Sequence, residues 1–426
     1  MEFKQIFRAL RHRNYRLFFA GQSISLVGTW MQQVALSWLV YRLTNSAALL
    51  GIVGFAGQIP SFLFSPFFGA IADRHDRRSI LVITQALSLI QASVLAVLIL
   101  SGKIQVWHII VLGFFLGVVN ALDIPTRNAF TVEMIENRGD MGNAIALNSS
   151  MVNSARLVGP SIAGILIALV GEGVCFLFNA LSYIPVIISL LAMRINGVPR
   201  PDGHKSRIIS EVRDGLKYIS GSFAIRTILI LLAVISMMGV PYQVLMPVFA
   251  RDVFHGGPRT LGFLVSMSGL GALTGAIFLA SRRNVRGLGR LIGVCAAVFG
   301  AGIICFSRSR VLWVSLPLLF ISGFAVMVQM AASNTVLQTI VDEDKRGRVM
   351  SFYTVSFMGM VPFGSLMAGW LAVRLGADNT LLFGGICCII AAVVYAYMLP
   401  TIRKQIRPIY VTKGIIMSED ILRRSG

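Results

Sequence analysis

Residues 47–78 read AALLGIVGFAGQIPSFLFSPFFGAIADRHDRR, an apolar run closed by a cluster of charge. Residues 47–72 contain no charged side chain, and the charges begin at Asp73 and Arg74. A helix of about 20 apolar residues crosses a hydrocarbon layer about 30 Å thick. The stretch therefore predicts a transmembrane helix that ends at the membrane surface in a basic loop.

The whole chain has the composition of a membrane protein. Of its 426 residues, 56% are hydrophobic and 13% are charged, and the mean hydropathy is +0.76. Soluble domains carry about 25% charged residues. The net charge of +20 would suit a nucleic acid, but the basic residues fall in the gaps between apolar runs, where they set membrane topology. We therefore expect a lipid bilayer as partner and no nucleic acid.

Apolar runs of similar length recur along the chain. They lie near residues 15–40, 47–72, 79–101, 106–126, 148–170, 174–194, 225–250, 260–281, 290–307, 311–333, 350–373 and 379–400. We predict an all-α membrane protein of twelve transmembrane helices in two six-helix bundles. The expected domains are an N-terminal bundle (1–194), a cytoplasmic linker with an amphipathic helix (195–224), a C-terminal bundle (225–402) and a cytoplasmic tail (403–426).

Charge in the gaps predicts the orientation of these spans. The amino-terminal segment and every second gap are rich in Lys and Arg, and the intervening gaps are poor in them. Because basic loops stay in the cytoplasm, both termini are predicted to be cytoplasmic. The string GAI at 69–71 recurs at 275–277, each time before a basic turn. The recurrence indicates that the second half of the chain repeats the first.

The end of the second span carries the most specific pattern in the chain. Its fixed positions are Gly69, Asp73, Arg74, Arg77 and Arg78, in the order GxxxDRxxRR. The pattern resembles the hallmark loop of the major facilitator superfamily between helices 2 and 3. The resemblance implies a gate in which Gly69 lets two helices approach closely and the charges latch the two bundles on the inner face. The alternative is that the arginines only set topology.

The fourth span ends in NALDIPTR at 120–127, which places Asp123 and Arg127 four residues apart on one helical face. Charges at membrane depth are costly unless they are paired. By resemblance to the charge relay of other superfamily members, Asp123 pairs with Arg77 or Arg127. The alternative is that Asp123 carries the transported proton. Asp123 and Arg127 are therefore candidates for both gating and coupling.

The fifth span contains a buried-charge candidate in Arg156. Asn153, Arg156 and Pro160 share a helical face, and the Gly159-Pro160 pair is loosely similar to a motif on helix 5 of exporters in the superfamily. The full glycine-rich pattern is absent, which weakens the link to antiport. An arginine has no neutral form to adopt, so Arg156 requires either Asp123 or an anionic substrate. It is the third coupling candidate.

Polar and aromatic residues of the first, fourth, seventh and tenth spans are candidates for a substrate cavity, because these spans line the cavity in the superfamily. Asn153 of the fifth span is added to them. The candidates are Trp30, Gln32, Gln33, Asn120, Asn153, Tyr242, Gln243 and Gln329. Amides and aromatic rings suit a ligand held by hydrogen bonds and apolar contact. The alternative is that these side chains join helices to one another.

Three longer strings resemble a bacterial exporter branch of the superfamily that includes enterobactin exporters and macrolide efflux proteins. They are ALRHRNYRLFFAGQSISLVGTWMQ at 9–32, ALDIPTR at 121–127 and VDEDKRGRVMSFY at 341–353. The resemblance implies export of a drug-like or siderophore-like molecule across the bacterial inner membrane by proton antiport and alternating access. A lipid or lysophospholipid flippase and an uncoupled facilitator are the alternatives.

Nothing in the sequence indicates an enzyme. The motifs HExxH, GxSxG and GxxxxGK[ST] are absent, so ATP is not the expected energy source. The five cysteines form no CxxC pair, and we expect no metal and no cofactor. The expected partners are a small-molecule substrate, protons and the bilayer, and the expected state is a monomer.

Overall fold

The computed structural model describes residues 7–194, 208–282, 284–413 and 415, which are almost entirely helical and contain no strand. A short 3-10 helix, Arg8–Arg11, precedes the long helices. These are α1 (Arg13–Thr44), α2 (Ala47–Arg74), α3 (Arg77–Leu100), α4 (Val106–Glu133), α5 (Met141–Val170), α6 (Glu172–Ala192), α7 (Ile208–Gly221), α8 (Phe223–Val253), α9 (Pro258–Ala280), α10 (Leu288–Arg308), α11 (Leu312–Ile340), α12 (Arg346–Leu375) and α13 (Ala377–Thr412).

Local sequence explains where several of these helices begin and end. Ser46 caps α2 by accepting a hydrogen bond from the backbone N–H of Leu49 at 3.3 Å, and Asp76 caps α3 by accepting from the backbone N–H of Ser79 at 2.8 Å. Side-chain oxygens at this position satisfy N–H groups that have no partner within the helix. Gly171, with φ at 86°, makes the turn between α5 and α6 in a conformation that L side chains rarely adopt.

Within the described ranges, eleven helices are long and apolar enough to cross a membrane. They are α2–α6 and α8–α13. Helix α1 has 32 residues and coincides with the first predicted span, but it is not among the eleven, since Gln, Ser and Thr residues recur along it. The predicted all-α membrane fold is confirmed, and each predicted span coincides with a long helix.

Helices α8 and α12 are irregular near their middles. In α8, π turns at Ile235–Gly239 and Phe249–Val253 flank a 3-10 segment at Val240–Leu245, and α12 has a π turn at Val355–Gly359. Proline lacks the N–H that the helical ladder needs, and Pro241 lies directly after the first π turn of α8. Such interruptions are common at functional positions of helices.

The chain groups into two compact units. The first holds α1–α6 together with residues 243–269 and 365–374, and the second holds α7, residues 223–242, residues 270–364 apart from 283, and α13. In the first unit α1 packs on α5 and α6, and α4 packs on α2 and α3. In the second, α10 packs on α11 and α13. The predicted division at the linker 195–224 stays a prediction, and residues 195–207 of that linker lie outside the described ranges.

Two pairs of glycines mark close helix crossings of the first unit. A Cβ atom built on Gly51 would lie 2.6 Å from the carbonyl oxygen of Ser365 and 3.0 Å from the Cα of Gly369. A Cβ atom built on Gly164 would lie 3.1 Å from the Cα of Gly262. Contacts this short leave no room for a side chain, so glycine is required where α2 crosses α12 and where α5 crosses α9.

Candidate functional site

Asp123 is a buried carboxylate on α4, with 4% of its surface exposed. It accepts hydrogen bonds at 2.8 Å from the hydroxyl of Thr84 and from the amide nitrogen of Gln85, both on α3. Its other oxygen lies 3.1 Å from a guanidinium nitrogen of Arg127. Helical spacing brings Arg127 back to the same face as Asp123. The negative charge is therefore held by two neutral donors and one cation.

Gln85 has a second feature that bears on chemistry. Its Oε1 atom is buried and has no hydrogen-bond partner within the described ranges. A buried acceptor without a donor is unfavourable by about 1–3 kcal/mol, and such atoms mark positions where a proton donor or an ordered water fits. The site thus contains two hydrogen-bond acceptors: the carboxylate of Asp123 and the neighbouring Oε1 of Gln85, which has no described donor.

The polar contacts continue through the interior of the first unit. Gln91 lies two helical turns after Thr84 on α3, and its Oε1 accepts from the amide of Gln32 at 3.3 Å. Gln32 in turn accepts from Asn179 of α6 at 2.7 Å, and Asn179 contacts the hydroxyl of Tyr183 at 3.4 Å. We call Thr84, Gln85, Gln91, Gln32, Asn179 and Tyr183, together with Asp123, the polar core. Ser88, on the same face of α3, also interacts with Tyr183.

Sequence reasoning missed the contribution of the third span to this polar core. Thr84, Ser88 and Gln91 follow one another at spacings of four and three residues within an otherwise apolar run. This spacing puts them on one face of α3. This spacing is visible in the sequence, but the pattern contains no charged residue that would have indicated a functional site.

The three residues of α1 that were predicted to contact substrate differ from one another in burial and in contacts. Gln32 is buried, and the two ends of its amide join α1 to α3 and α6. This arrangement fits the alternative that polar side chains join helices to one another. Gln33 is exposed. Trp30 is half-buried and lies under Arg156, whose guanidinium carbon is 5.5 Å from the ring centre. Gly159 permits this contact, since a Cβ atom there would lie 2.6 Å from the Cβ of Trp30.

The ion pair that the structure shows for Asp123 is with Arg127, and the partner of Arg156 stays a prediction. Asn153, one turn before Arg156, is buried and donates to the carbonyl oxygen of Ser149 at 2.8 Å. Asn120 is half-buried on α4.

The remaining residues predicted to contact substrate belong to α8 and α11. Tyr242 is fully buried and packs edge-on against Phe299, with the ring centres 6.2 Å apart. Gln329 is fully buried, donates to Ser333 at 3.4 Å, and has an Oε1 atom without a described partner. Gln243 is half-buried. Tyr242 and Gln329 thus present no exposed surface in this arrangement.

The arginines of the loop after α2 have partners inside the first unit. Arg77 lies 2.7 Å from Glu133 at the end of α4, so Arg77 pairs with Glu133 and not with Asp123. Arg78 donates to the carbonyl oxygens of Leu190 and Leu191 at 2.7 and 2.6 Å. These contacts tie the start of α3 to the ends of α4 and α6.

The rest of the latch pattern behaves differently from expectation. A Cβ atom built on Gly69 would meet no atom of another described helix within 4 Å, so the structure shows no close helix approach at Gly69. The close approaches occur instead at the glycine pairs of the α2–α12 and α5–α9 crossings. Arg74 is exposed. The side chain of Asp73 lies outside what the structure describes, and the latch role of the loop stays a prediction.

The described residues contain no group of three or more His, Cys, Asp or Glu side chains placed to hold a metal ion. The amides and hydroxyls around Asp123 can donate or accept hydrogen bonds, and Arg127 can only donate.

Comparison with known proteins identifies relatives over nearly the full length. The family described as transmembrane secretion effector matches residues 5–426. The staphyloferrin A transporter of Staphylococcus aureus is 26% identical, with 90% of this chain and 96% of that protein covered. Macrolide efflux protein A of Streptococcus pyogenes is 24% identical, with 92% and 98% covered. The multidrug efflux pump Tap of Mycolicibacterium fortuitum is 27% identical, with 88% and 93% covered.

Solved structures with the same fold are transporters. A bacterial homologue of the human lysosomal transporter Spinster, in an inward-facing and unoccupied conformation, matches with a TM-score of 0.73 at 13% identity, covering 92% of this chain and 98% of that chain. A D-xylose–proton symporter matches with a TM-score of 0.67 at 14% identity, covering 91% and 96%. The chain therefore belongs to the transmembrane secretion effector family of the major facilitator superfamily, whose members are transporters and not enzymes.

Proposed function

We propose that this transporter exports a small amphipathic molecule, of drug or siderophore type, from the bacterial cytoplasm across the inner membrane by proton antiport. The relatives named for staphyloferrin A, macrolides and multidrug efflux support the direction and the substrate class. The alternation of basic and neutral gaps supports a topology with both termini in the cytoplasm. The observation that carries proton coupling is the burial of Asp123 among partners that suit two protonation states.

The partners of Asp123 respond differently to a proton. Thr84 and Gln85 can each act as donor or acceptor, so a protonated Asp123 could donate to the unused Oε1 of Gln85 after the amide turns. Arg127 cannot accept, and its attraction to Asp123 ends when the carboxylate is neutralised. Its side chain is 23% exposed, so Arg127 can then turn toward water. Protonation thereby converts a fixed ion pair into a mobile cation.

This change gives a physical route from proton to conformation. Asp123 and Arg127 lie on α4, whose end is tied by Glu133 to Arg77 at the start of α3. Protonation changes the hydrogen bonds that join Asp123 of α4 to Thr84 and Gln85 of α3, and this change in the α3–α4 contact favours the alternative arrangement. A ligand shifts such an equilibrium only by its different affinity for the two states, and the proton supplies that difference here.

For substrate recognition we propose the pair formed by Trp30 and Arg156. The ring offers an apolar face, and the guanidinium offers planar donors that match a carboxylate. Gln33, Asn120, Asn153 and Gln243 are proposed to add hydrogen bonds. Gln32, Tyr242 and Gln329 are buried in the described arrangement and are proposed to contact substrate only after a rearrangement.

The test uses inverted membrane vesicles that contain the full chain and are energised by a pH gradient. Uptake of a radiolabelled macrolide and of staphyloferrin A is followed with the gradient intact and after a protonophore. Asp123→Asn should abolish gradient-driven accumulation, and Asp123→Glu should retain part of it. Asp378→Asn, which removes a carboxylate paired with Arg310 in an exposed position, is the control and should accumulate normally.

Other outcomes would overturn parts of the proposal. Accumulation by Asp123→Asn equal to that of the parent protein would remove Asp123 from coupling. Equilibration of either probe without dependence on the gradient would show an uncoupled facilitator. Movement of labelled phospholipid, with neither probe transported, would show a flippase.

A further inference from the structure

The amphipathic helix α7 is attached to the second unit by one face. A Cβ atom built on Gly215 would lie 2.8 Å from a ring carbon of Phe352 at the start of α12. The hydroxyl of Tyr218 donates to Asp342 at 3.0 Å. Asp214, at the side of this face, lies 3.6 Å from Arg348. These contacts fix which side of α7 is turned away from the protein.

The opposite face of α7 is basic and exposed. Arg213, Leu216, Lys217 and Ser220 follow at helical spacing and, together with Asp214 at the edge, line an open groove of about 680 Å³. Leu216 is 53% exposed although it is apolar. An exposed leucine between two cations suits a surface that offers negative charge and hydrocarbon together.

A second basic face lies on the last turns of α13. Ile402, Ile406 and Tyr410 are buried at four-residue intervals, which leaves the other side of the helix exposed. That side carries Arg403, Lys404 and Arg407. Helix α13 thus continues past its apolar span as an amphipathic segment with a cationic outer face.

An exposed aromatic ring marks where the apolar span of α13 gives way to these charges. Tyr397 is 87% exposed and lies seven residues before Lys404, on the same face. Tyrosine is enriched where a transmembrane helix leaves the hydrocarbon. Lys404 therefore lies at the level of the lipid headgroups or just outside it.

The two basic faces belong to the same end of the second unit. Gln405 of α13 accepts a hydrogen bond from the backbone N–H of Ala224 at 3.1 Å, and Ala224 follows the end of α7 by three residues. None of the five cations Arg213, Lys217, Arg403, Lys404 and Arg407 makes an ion pair or a side-chain hydrogen bond with another residue of the described ranges. All five side chains are exposed.

We propose that these five cations and Leu216 form a binding surface for anionic phospholipids of the surrounding bilayer. Clusters of four to eight basic residues beside a transmembrane helix attract anionic headgroups, at about 1 kcal/mol per residue. A soluble anion would leave Leu216 and Tyr397 in water, whereas a phospholipid supplies a phosphate to the cations and acyl chains to the apolar side chains. The surface is separate from the polar core and does not depend on the direction of transport.

The experiment measures lipid retention by the full chain. The protein is purified in detergent, exposed to an equal mixture of phosphatidylglycerol and phosphatidylcholine, and the bound lipids are counted by native mass spectrometry. We expect preferential retention of phosphatidylglycerol, which falls about tenfold in Arg213→Gln/Lys217→Gln and again in Arg403→Gln/Lys404→Gln/Arg407→Gln. The charge-matched control, Lys103→Gln/Arg308→Gln, changes exposed cations elsewhere and should retain phosphatidylglycerol as the parent does.

A second measurement keeps the result interpretable if a variant is poorly folded. The thermal midpoint of the parent protein is compared after addition of phosphatidylglycerol, phosphatidylcholine or inorganic phosphate. We expect a rise with phosphatidylglycerol only, and a smaller rise at high salt. Equal retention of the two lipids, an equal loss in the control variant, or an equal rise with inorganic phosphate would each overturn the lipid surface, whatever the transport assay shows.

Discussion

The hydroxyl of Tyr41, at the end of α1, donates a hydrogen bond to the carboxylate of Asp252 in the last π turn of α8. The neighbouring Arg251 lies over the Tyr41 ring at 5.9 Å and donates to the side chain of Asn45 at 2.6 Å. All four residues belong to the first compact unit. The π turn thus places two oppositely charged neighbours on the same helix end.

We expect the Tyr41–Asp252 bond to contribute about 1 kcal/mol to the free energy of unfolding, because Asp252 is exposed and the bond is partly hydrated. Tyr41→Phe and Asp252→Ala should each lower that free energy by this amount. The double variant should lose no more than one of the single variants, since both remove the same interaction. Unfolding in a denaturing detergent, followed by circular dichroism, measures all three. Strictly additive losses would mean that the two side chains act independently.

The glycine crossing of α5 and α9 leaves no space for a methyl group. Gly164→Ala should lower the free energy of unfolding by about 1–3 kcal/mol, because the new Cβ would lie 2.8 Å from the carbonyl oxygen of Pro258. The matched control is Gly113→Ala on α4, where a Cβ would meet nothing within 4 Å. There the better helix propensity of alanine should leave stability unchanged or raise it. Equal effects at the two positions would contradict the close crossing.

We expect the ion pair between Arg77 and Glu133 to contribute more to the free energy of unfolding than an exposed ion pair does. The two side chains are only 19% and 17% exposed, and removal of one partner leaves the other partly buried without its counter-charge. We expect Arg77→Gln to lower the free energy of unfolding by about 2 kcal/mol. The exchange Arg77→Glu/Glu133→Arg should recover part of the loss. If the free energy of unfolding of the exchange variant is no higher than that of Arg77→Glu alone, the ion pair does not stabilise the contact between α3 and α4.

Attachment of α7 should be insensitive to pH through the neutral range. Burial raises the pKa of Tyr218 above its ordinary value. A raised pKa in the folded state means that the stabilisation is fully present below the unfolded value of about 10 and is lost as the pH rises through the folded value. Hydrogen exchange of α7, corrected for the intrinsic rate, should therefore show constant protection from pH 6 to 9. Tyr218→Phe should reduce protection throughout that range, and a fall in protection near neutral pH would point to another titrating group.

Patterns that act over one helix were readable from the sequence. The apolar runs predicted the long helices because the hydrocarbon layer sets a minimum length for any spanning helix. The spacing of Asp123 and Arg127 correctly predicted that the two could pair, since residues four apart share a helical face. The low fraction of charged residues and their confinement to the gaps between apolar runs indicated a membrane protein, and both can be read without knowledge of the tertiary structure.

Contacts between distant helices were decided only by tertiary structure. Nothing in the sequence around Arg77 distinguishes Glu133 from Asp123 as its partner. Gly69 belongs to a specific pattern, yet a Cβ atom there would meet no described residue of another helix within 4 Å, whereas Gly51 and Gly164 belong to no such pattern and lie at close helix crossings. A side chain's partner depends on the relative depth and rotation of two helices, and those are set by packing over their whole length. The sequence by itself therefore determined that the chain lies in a membrane as helices, and the packing of those helices decided that Asp123 meets Thr84 and Gln85.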